Sequence, residues 1–164
     1  METILFNNIK EIKKEKKLLE RKLHVKITIY KKKVTIDGEP MNEYEASLVL
    51  DAINFGFDAR TALLLWEEDF MFRRLNIKDF TRRKNLSIVK ARLIGTQGRT
   101  KKTLENLSDC RIIIKGNEIG IICAIEEMDD SITAMSNLIR GSKQSNVYKF
   151  LEKRNTQRKI INEK

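Results

Sequence analysis

The chain has 164 residues, enough for one domain or two small ones, and 41% of them are apolar, enough for a packed core, which excludes wholesale disorder. Lysine and arginine outnumber the acids by 33 to 23, leaving a formal charge of +10 that favours a polyanionic partner. The longest apolar runs, Ala62–Trp66 and Ile119–Ile125, are too short to cross a bilayer, and Met1-Glu2-Thr3 opens no secretory leader, so the chain is expected in the cytoplasm, or in a nucleus where there is one. Cys110 and Cys123 read as reduced, buried thiols, and with His24 as the sole histidine no zinc site is expected.

In chain order, Thr3–Phe6 reads as a short strand and Lys13–Leu23 as a helix with Leu18, Leu19 and Leu23 on one side. Val25–Ile29 and Val34–Ile36 alternate as strands, joined by the basic turn Lys31–Lys33. Asp37-Gly38-Glu39-Pro40 closes the hairpin, and Glu43–Asn54 returns as a helix ending near Gly56. Asp58 can cap a short helix through Trp66, before an acidic turn at Glu67-Glu68-Asp69 and a strand at Phe70–Ile77. Lys84–Ile94 is a helix with Leu86, Val89, Leu93 and Ile94 inward, and Thr100–Leu107 is a second. Arg111–Lys115 and Ile119–Ile125 form a hairpin across Gly116-Asn117. Glu127–Arg140 is a helix stopped at Gly141, Ser145–Arg154 is a last helix, and a frayed charged tail follows. The second half thus repeats the plan of the first in pattern, though not in residue identity. The expected domains are residues 1–57 and 58–155, with a tail at 156–164.

Between Thr81 and Leu104 stand eight basic residues and no acid: Arg82, Arg83, Lys84, Lys90, Arg92, Arg99, Lys101 and Lys102. Inside this run lies Gly95-Thr96-Gln97-Gly98, a G-x-x-G turn between two helices. Glycine lets a backbone come close to a phosphate chain, and the flanking cations neutralise it. Lys90 to Thr100, followed by Leu104, Leu107 and the strand Arg111-Ile112-Ile113-Ile114, resembles the type I KH core, in which a G-x-x-G loop clamps single-stranded nucleic acid. The likeness extends to the Partner-of-Nob-One and Krr-type family of two-KH-domain factors. Phe55-Gly56-Phe57 with Ala62-Leu63 resembles the segment between its domains, and Glu68-Asp69-Phe70 with Leu75-Asn76-Ile77 the strand entering its second one. Val147-Tyr148-Lys149-Phe150-Leu151-Glu152 resembles its C-terminal signature, the most specific stretch of the match over about residues 20–154.

The resemblance implies an α+β fold of two tandem type I KH-like units, each a small three-stranded sheet with helices on one face. It implies a compact archaeal form and a non-enzymatic factor of small-ribosomal-subunit assembly. Its RNA would be single-stranded, at the pyrimidine-rich 3′ end of small-subunit ribosomal RNA, and its protein partners a PIN-domain endonuclease and the alpha subunit of translation initiation factor two. No cofactor or metal is implied. A protein-interaction adaptor and a subunit of an RNA-degrading complex are the rival readings.

The RNA-contacting set is Lys90, Arg92, Ile94, Gly95, Thr96, Gln97, Gly98, Arg99, Thr100, Lys101 and Lys102. One of Leu93 and Ile94 lines a base groove while the other is core. Of the alternating residues Arg111–Ile114, one set faces the core and the other borders the groove. In the first unit the place of the glycine loop is taken by Lys10-Glu11-Ile12-Lys13, so that unit is expected to be degenerate and not to clamp a backbone. Lys101 stands where KH domains place an apolar groove residue. Trp66 and Tyr148 are expected to pack rather than to stack on bases, and His24 to be a turn residue. The residues contain no catalytic constellation, such as a histidine beside a nucleophile.

Overall fold

A computed structural model describes residues 1–163 and divides the chain into two units, Met1–Phe70 and Met71–Lys164. Both are α+β, with one three-stranded antiparallel sheet apiece.

In the first unit β1 (Glu2–Leu5) leads into α1 (Lys10–Leu23), then the hairpin β2 (Lys26–Tyr30) and β3 (Lys33–Asp37), then α2 (Pro40–Phe55). The sheet order is β1-β3-β2, with Thr35 paired to Thr3 on one side and Thr28 on the other. Val34 and Ile36 on β3 and Ile27 on β2 are fully buried, as period-two alternation requires. They meet Ile12, Leu19 and Leu23 of α1 and Val49, Leu50 and Ile53 of α2 in the unit's buried set. Pro40 does not end the hairpin as a turn residue. It occupies the first turn of α2, where its missing N–H costs nothing. His24 adopts the left-handed conformation that ends α1.

The boundary falls at Phe70 rather than at residue 57, because the next segment belongs to the first unit's core. Asp58 caps α3 (Ala59–Ala62) by accepting from the Thr61 N–H, and the Ala59 N–H donates to Glu11 of α1 at 2.9 Å. Ala59 and Ala62 are fully buried. A 3-10 turn follows at Leu63–Trp66, and Trp66, at 44% exposed, is not part of the buried core.

The second unit opens with β4 (Phe70–Asn76) and continues through α4 (Leu86–Ile94), α5 (Arg99–Ser108), the hairpin β5 (Arg111–Lys115) and β6 (Glu118–Ala124), α6 (Ile125–Arg140) and α7 (Gln144–Asn162). The sheet order is β4-β6-β5, the same as in the first unit. Val89, Leu93, Leu104, Ile112, Ile121, Met135 and Leu138 form its buried core, and Val147 and Leu151 seal α7 onto it. Tyr148 packs half-buried against the same cluster, as expected. Each such aliphatic side chain contributes roughly 1.5–3 kcal/mol on burial. Cys110 and Cys123 are free and buried. The Cys123 thiol is pushed up by its hydrogen bond with Cys110 and by burial.

The segment expected to fray is helical: α7 continues to Asn162. Arg154 donates to Asp130 of α6 at 3.2 Å, Arg158 reaches the same carboxylate, and Asn155 donates to the Leu107 carbonyl. Asp130 is 9% exposed, a buried charge satisfied by two guanidiniums. Among the described residues no helix is long and apolar enough to cross a membrane, and no group of three or more acids, histidines or cysteines is placed to hold a metal.

Candidate nucleic-acid interface

The glycine turn is built by the sequence that surrounds it. Asn85 caps α4 by accepting from the Ser87 N–H, and α4 runs for nine residues until Gly95 stops it. Gly95 lies at φ 76, ψ 176, a region essentially confined to glycine. A Cβ there would fall 2.1 Å from Oγ1 of Thr100 and 2.7 Å from its backbone nitrogen, so no side chain fits. Gly98, at φ 75, sits differently: a Cβ there would meet nothing within 4 Å. Gly95 therefore serves internal packing, while Gly98 keeps an outward face bare. Between them Thr96 and Gln97 are exposed, with Gln97 left-handed at φ 54.

The expected contact residues separate into three groups. Gly98, Thr96, Gln97, Arg99 and Lys102 stand at or beside the open turn, with the last two exposed and Lys90 half-buried. Among the described residues no carboxylate pairs with Lys90, Arg99 or Lys102. Ile94 is 38% exposed, whereas Leu93 is fully buried. This resolves the pair: Leu93 is core, and Ile94 with Ala91 one turn earlier presents apolar surface beside the loop. The expectation that Ile94 faces inward is thus corrected. Along β5 Ile112 is buried and Ile114 packs against the core, so the set on the helix side is Ile112 and Ile114.

Three of the expected residues have partners within the unit. Thr100 is 4% exposed and its hydroxyl accepts from Nε2 of Gln144 at 3.0 Å, so it braces the loop from beneath rather than facing outward. Arg92 donates from Nη2 to the Ser142 carbonyl at 2.7 Å. Lys101 is held by Glu105 at 3.1 Å, and the second oxygen of Glu105 accepts from the Ile112 N–H. The ammonium at the unusual groove position is therefore partly compensated within α5 by a half-buried pair. Sequence reasoning missed Ser142 and Gln144. They lie 50 and 44 residues from their partners, and nothing local marks them.

In the first unit Lys10–Lys13 form no loop. They are the opening turn of α1, which continues past a kink at Glu15 (φ −107, ψ 16) to Leu23. Glu11 is spent on the Ala59 N–H.

Residues 71–156 match the profile of the PNO1 second domain, a eukaryotic type KH domain, KH type I. The chain belongs to this family. A KH domain-containing protein of Methanocaldococcus jannaschii is 30% identical over 145 residues, 84% of this chain and 64% of that protein. Pre-rRNA-processing protein pno1 of Aspergillus fumigatus is 32% identical over 106 residues, 62% of this chain and 42% of the fungal protein. The chain thus spans under two thirds of the length of these relatives. Among solved structures, a chain of the a/eIF2alpha–aDim2p–rRNA complex from Pyrococcus horikoshii OT3 is similar at TM-score 0.80 and 27% identity, over 95% of this chain and 94% of that one. That likeness spans both units, so the two-unit KH-like architecture implied by the sequence is the one observed.

Proposed function

We infer that this chain is a non-catalytic RNA-binding factor of small-ribosomal-subunit assembly, and that the Gly95–Gly98 loop is where it holds single-stranded RNA. The observation that carries the reading is the asymmetry of the two glycines. Gly95 cannot bear a side chain because Thr100 fills the space, yet Gly98 faces open solvent in a conformation that keeps the turn bare. A bare turn ringed by Lys90, Arg99 and Lys102, none paired with an acid, suits a phosphate chain and no ordinary packing partner. About four nucleotides would cross it, with bases laid against Ile94 and Ala91.

The relatives support the choice of RNA. The fungal one is a pre-rRNA-processing protein, and the archaeal neighbour is found with rRNA and a/eIF2alpha. The target is then the pyrimidine-rich 3′ region of small-subunit ribosomal RNA, in the cytoplasm, where the protein would block or present the cleavage region to a PIN-domain endonuclease and meet the initiation factor's alpha subunit. Crosslinking the chain to total cellular RNA and mapping the bound sites tests this. Sites concentrated at the 3′ end of the small-subunit RNA are expected, and sites scattered over unrelated RNAs would overturn the assembly role.

A further inference from the structure

Arg83 and Arg92 converge at the turn between α6 and α7. A Cβ placed on Gly141 would lie 3.6 Å from Nη1 of Arg92 and 3.8 Å from Nη2 of Arg83, with no other heavy atom within 4 Å beyond the adjoining chain. The two guanidiniums therefore reach one small patch of backbone. Gly141 is exposed and has no side chain, so the space between them is open. Nη2 of Arg92 is fixed by the Ser142 carbonyl, which leaves Nη1 beside Gly141.

Among the described residues neither arginine pairs with a carboxylate. The negative charge at hand is the carbonyl end of α6, worth about half an elementary charge against two full positive ones. Arg140, 5.8 Å over the Phe80 ring, and the exposed Lys143 add the same sign. Two guanidiniums within reach of one point supply the donors that the oxygens of a single phosphate accept. The place also fits. Gln144, just beyond Gly141, donates to Thr100 beneath Gly95, and Arg92 lies about 200° round α4 from Ile94, so a strand that leaves the glycine loop on the side away from the base surface comes to Gly141.

We propose that Arg83 and Arg92, meeting over Gly141, form a second phosphate site that takes the RNA backbone immediately flanking the nucleotides held at the glycine loop. The site rests on the reading of that loop as an RNA clamp and extends its footprint beyond the four-nucleotide length of a KH module. Arg92 is tied to the fold through Ser142, so the informative position is Arg83, which is exposed.

The test is fluorescence anisotropy at several salt concentrations with two kinds of RNA. One is a pyrimidine tetranucleotide; the other carries three further nucleotides at its 5′ or its 3′ end. Arg83→Gln should weaken binding of one extended RNA roughly five- to tenfold and lower the magnitude of its log-log salt slope by about 0.7, the increment for one phosphate on a single strand. It should bind the tetranucleotide as the native chain does, and Arg83→Lys should restore the slope. Equal binding of both RNAs by Arg83→Gln and the native chain would overturn the second site. A loss that is the same for tetranucleotide and extended RNA would overturn it too, since Arg83 would then act on the loop itself. If the native chain binds neither RNA, the clamp reading has failed first, which the native titration reveals without any variant.

Discussion

The two units follow one plan and differ most tellingly between their first and second strands. Each runs strand, helical segment, hairpin, helix, with the last strand of the hairpin or its counterpart at the centre of a three-stranded sheet. In the first unit the segment between β1 and β2 is one helix with a kink at Glu15. In the second the helix is cut at Ile94 and begins again at Arg99, with Gly95–Gly98 between. The difference lies in backbone freedom more than in charge. Lys10, Lys13, Lys14 and Lys17 give α1 an exposed basic face of its own. Lysine and glutamate are good helix formers, so without glycine nothing halts the helix and no turn is offered to a ligand. Charge at this position attracts an anion, whereas the glycine turn gives it a place to sit.

The largest effect should come from closing the turn to anions. Replacing Thr96 and Gln97 together by Asp places two carboxylates where phosphates would lie. RNA affinity should fall on the order of 100-fold, about 3 kcal/mol. Both side chains are exposed and Asp tolerates the left-handed conformation of Gln97, so the circular dichroism spectrum should be unchanged. Undiminished affinity in a folded double variant would return the loop to the status of the α1 kink, a mere corner.

The two glycines should respond in opposite ways. Gly95→Ala drives a methyl group into Thr100 and should lower unfolding stability by about 1–3 kcal/mol. Gly98→Ala meets no atom and pays only the left-handed penalty of about 1–2 kcal/mol, yet it should weaken RNA binding by a larger factor than its stability loss explains. Chemical denaturation and anisotropy on the same preparations separate the two. Matching stability and binding losses at Gly98 would contradict its outward role.

A smaller loss is expected at Gln144→Ala. It removes the donor that fixes Thr100 beneath Gly95, worth about 1 kcal/mol. Because no charge is lost, the salt slope of RNA binding should stay the same while affinity drops a few-fold. A reduced slope would mean that Gln144 orders a phosphate contact and does not simply hold the loop.

Smallest of all should be the effect of reversing charge in the first unit. Lys10→Glu with Lys13→Glu should cost less RNA affinity than Arg99→Glu with Lys102→Glu, since charges without a clamp act through solvent and are screened within about 8–10 Å. Equal losses in filter binding at physiological salt would show that α1 contacts RNA directly and would erase the asymmetry between the units.

Much of this contrast is legible in the chain because it is local. Gly95 and Gly98 are three positions apart, inside a basic run that holds no acid, and their neighbours carry helix periodicity on both sides. The capping by Asp58 and the αL stop at Gly141 are likewise written in adjacent residues. What sequence could not supply was the fate of side chains whose partners are far away. Thr100 reads as surface until Gln144 arrives from 44 residues downstream, and the tail after Arg154 reads as frayed until Arg158 finds Asp130 across 28 residues. Leu93 and Ile94 are equally apolar, and only the packing of α4 against the core decides which is hidden. The four residues from Lys10 resemble the loop position of the second unit only by place, and their own helix propensity puts them in α1.

The central claim is that the loop of the second unit holds unpaired RNA. Competition binding tests it most directly: labelled RNA of the 3′-terminal small-subunit sequence is bound to the chain, then challenged with the same sequence unlabelled, with its base-paired form and with a scrambled single strand. An A-form duplex cannot deliver splayed bases to the apolar surface at Ile94 beside Gly95–Gly98. The unpaired native sequence should displace the label, the duplex should fail, and the scrambled strand should compete more weakly. Equal competition by all three would contradict the account and leave a basic surface that binds phosphate wherever it finds it.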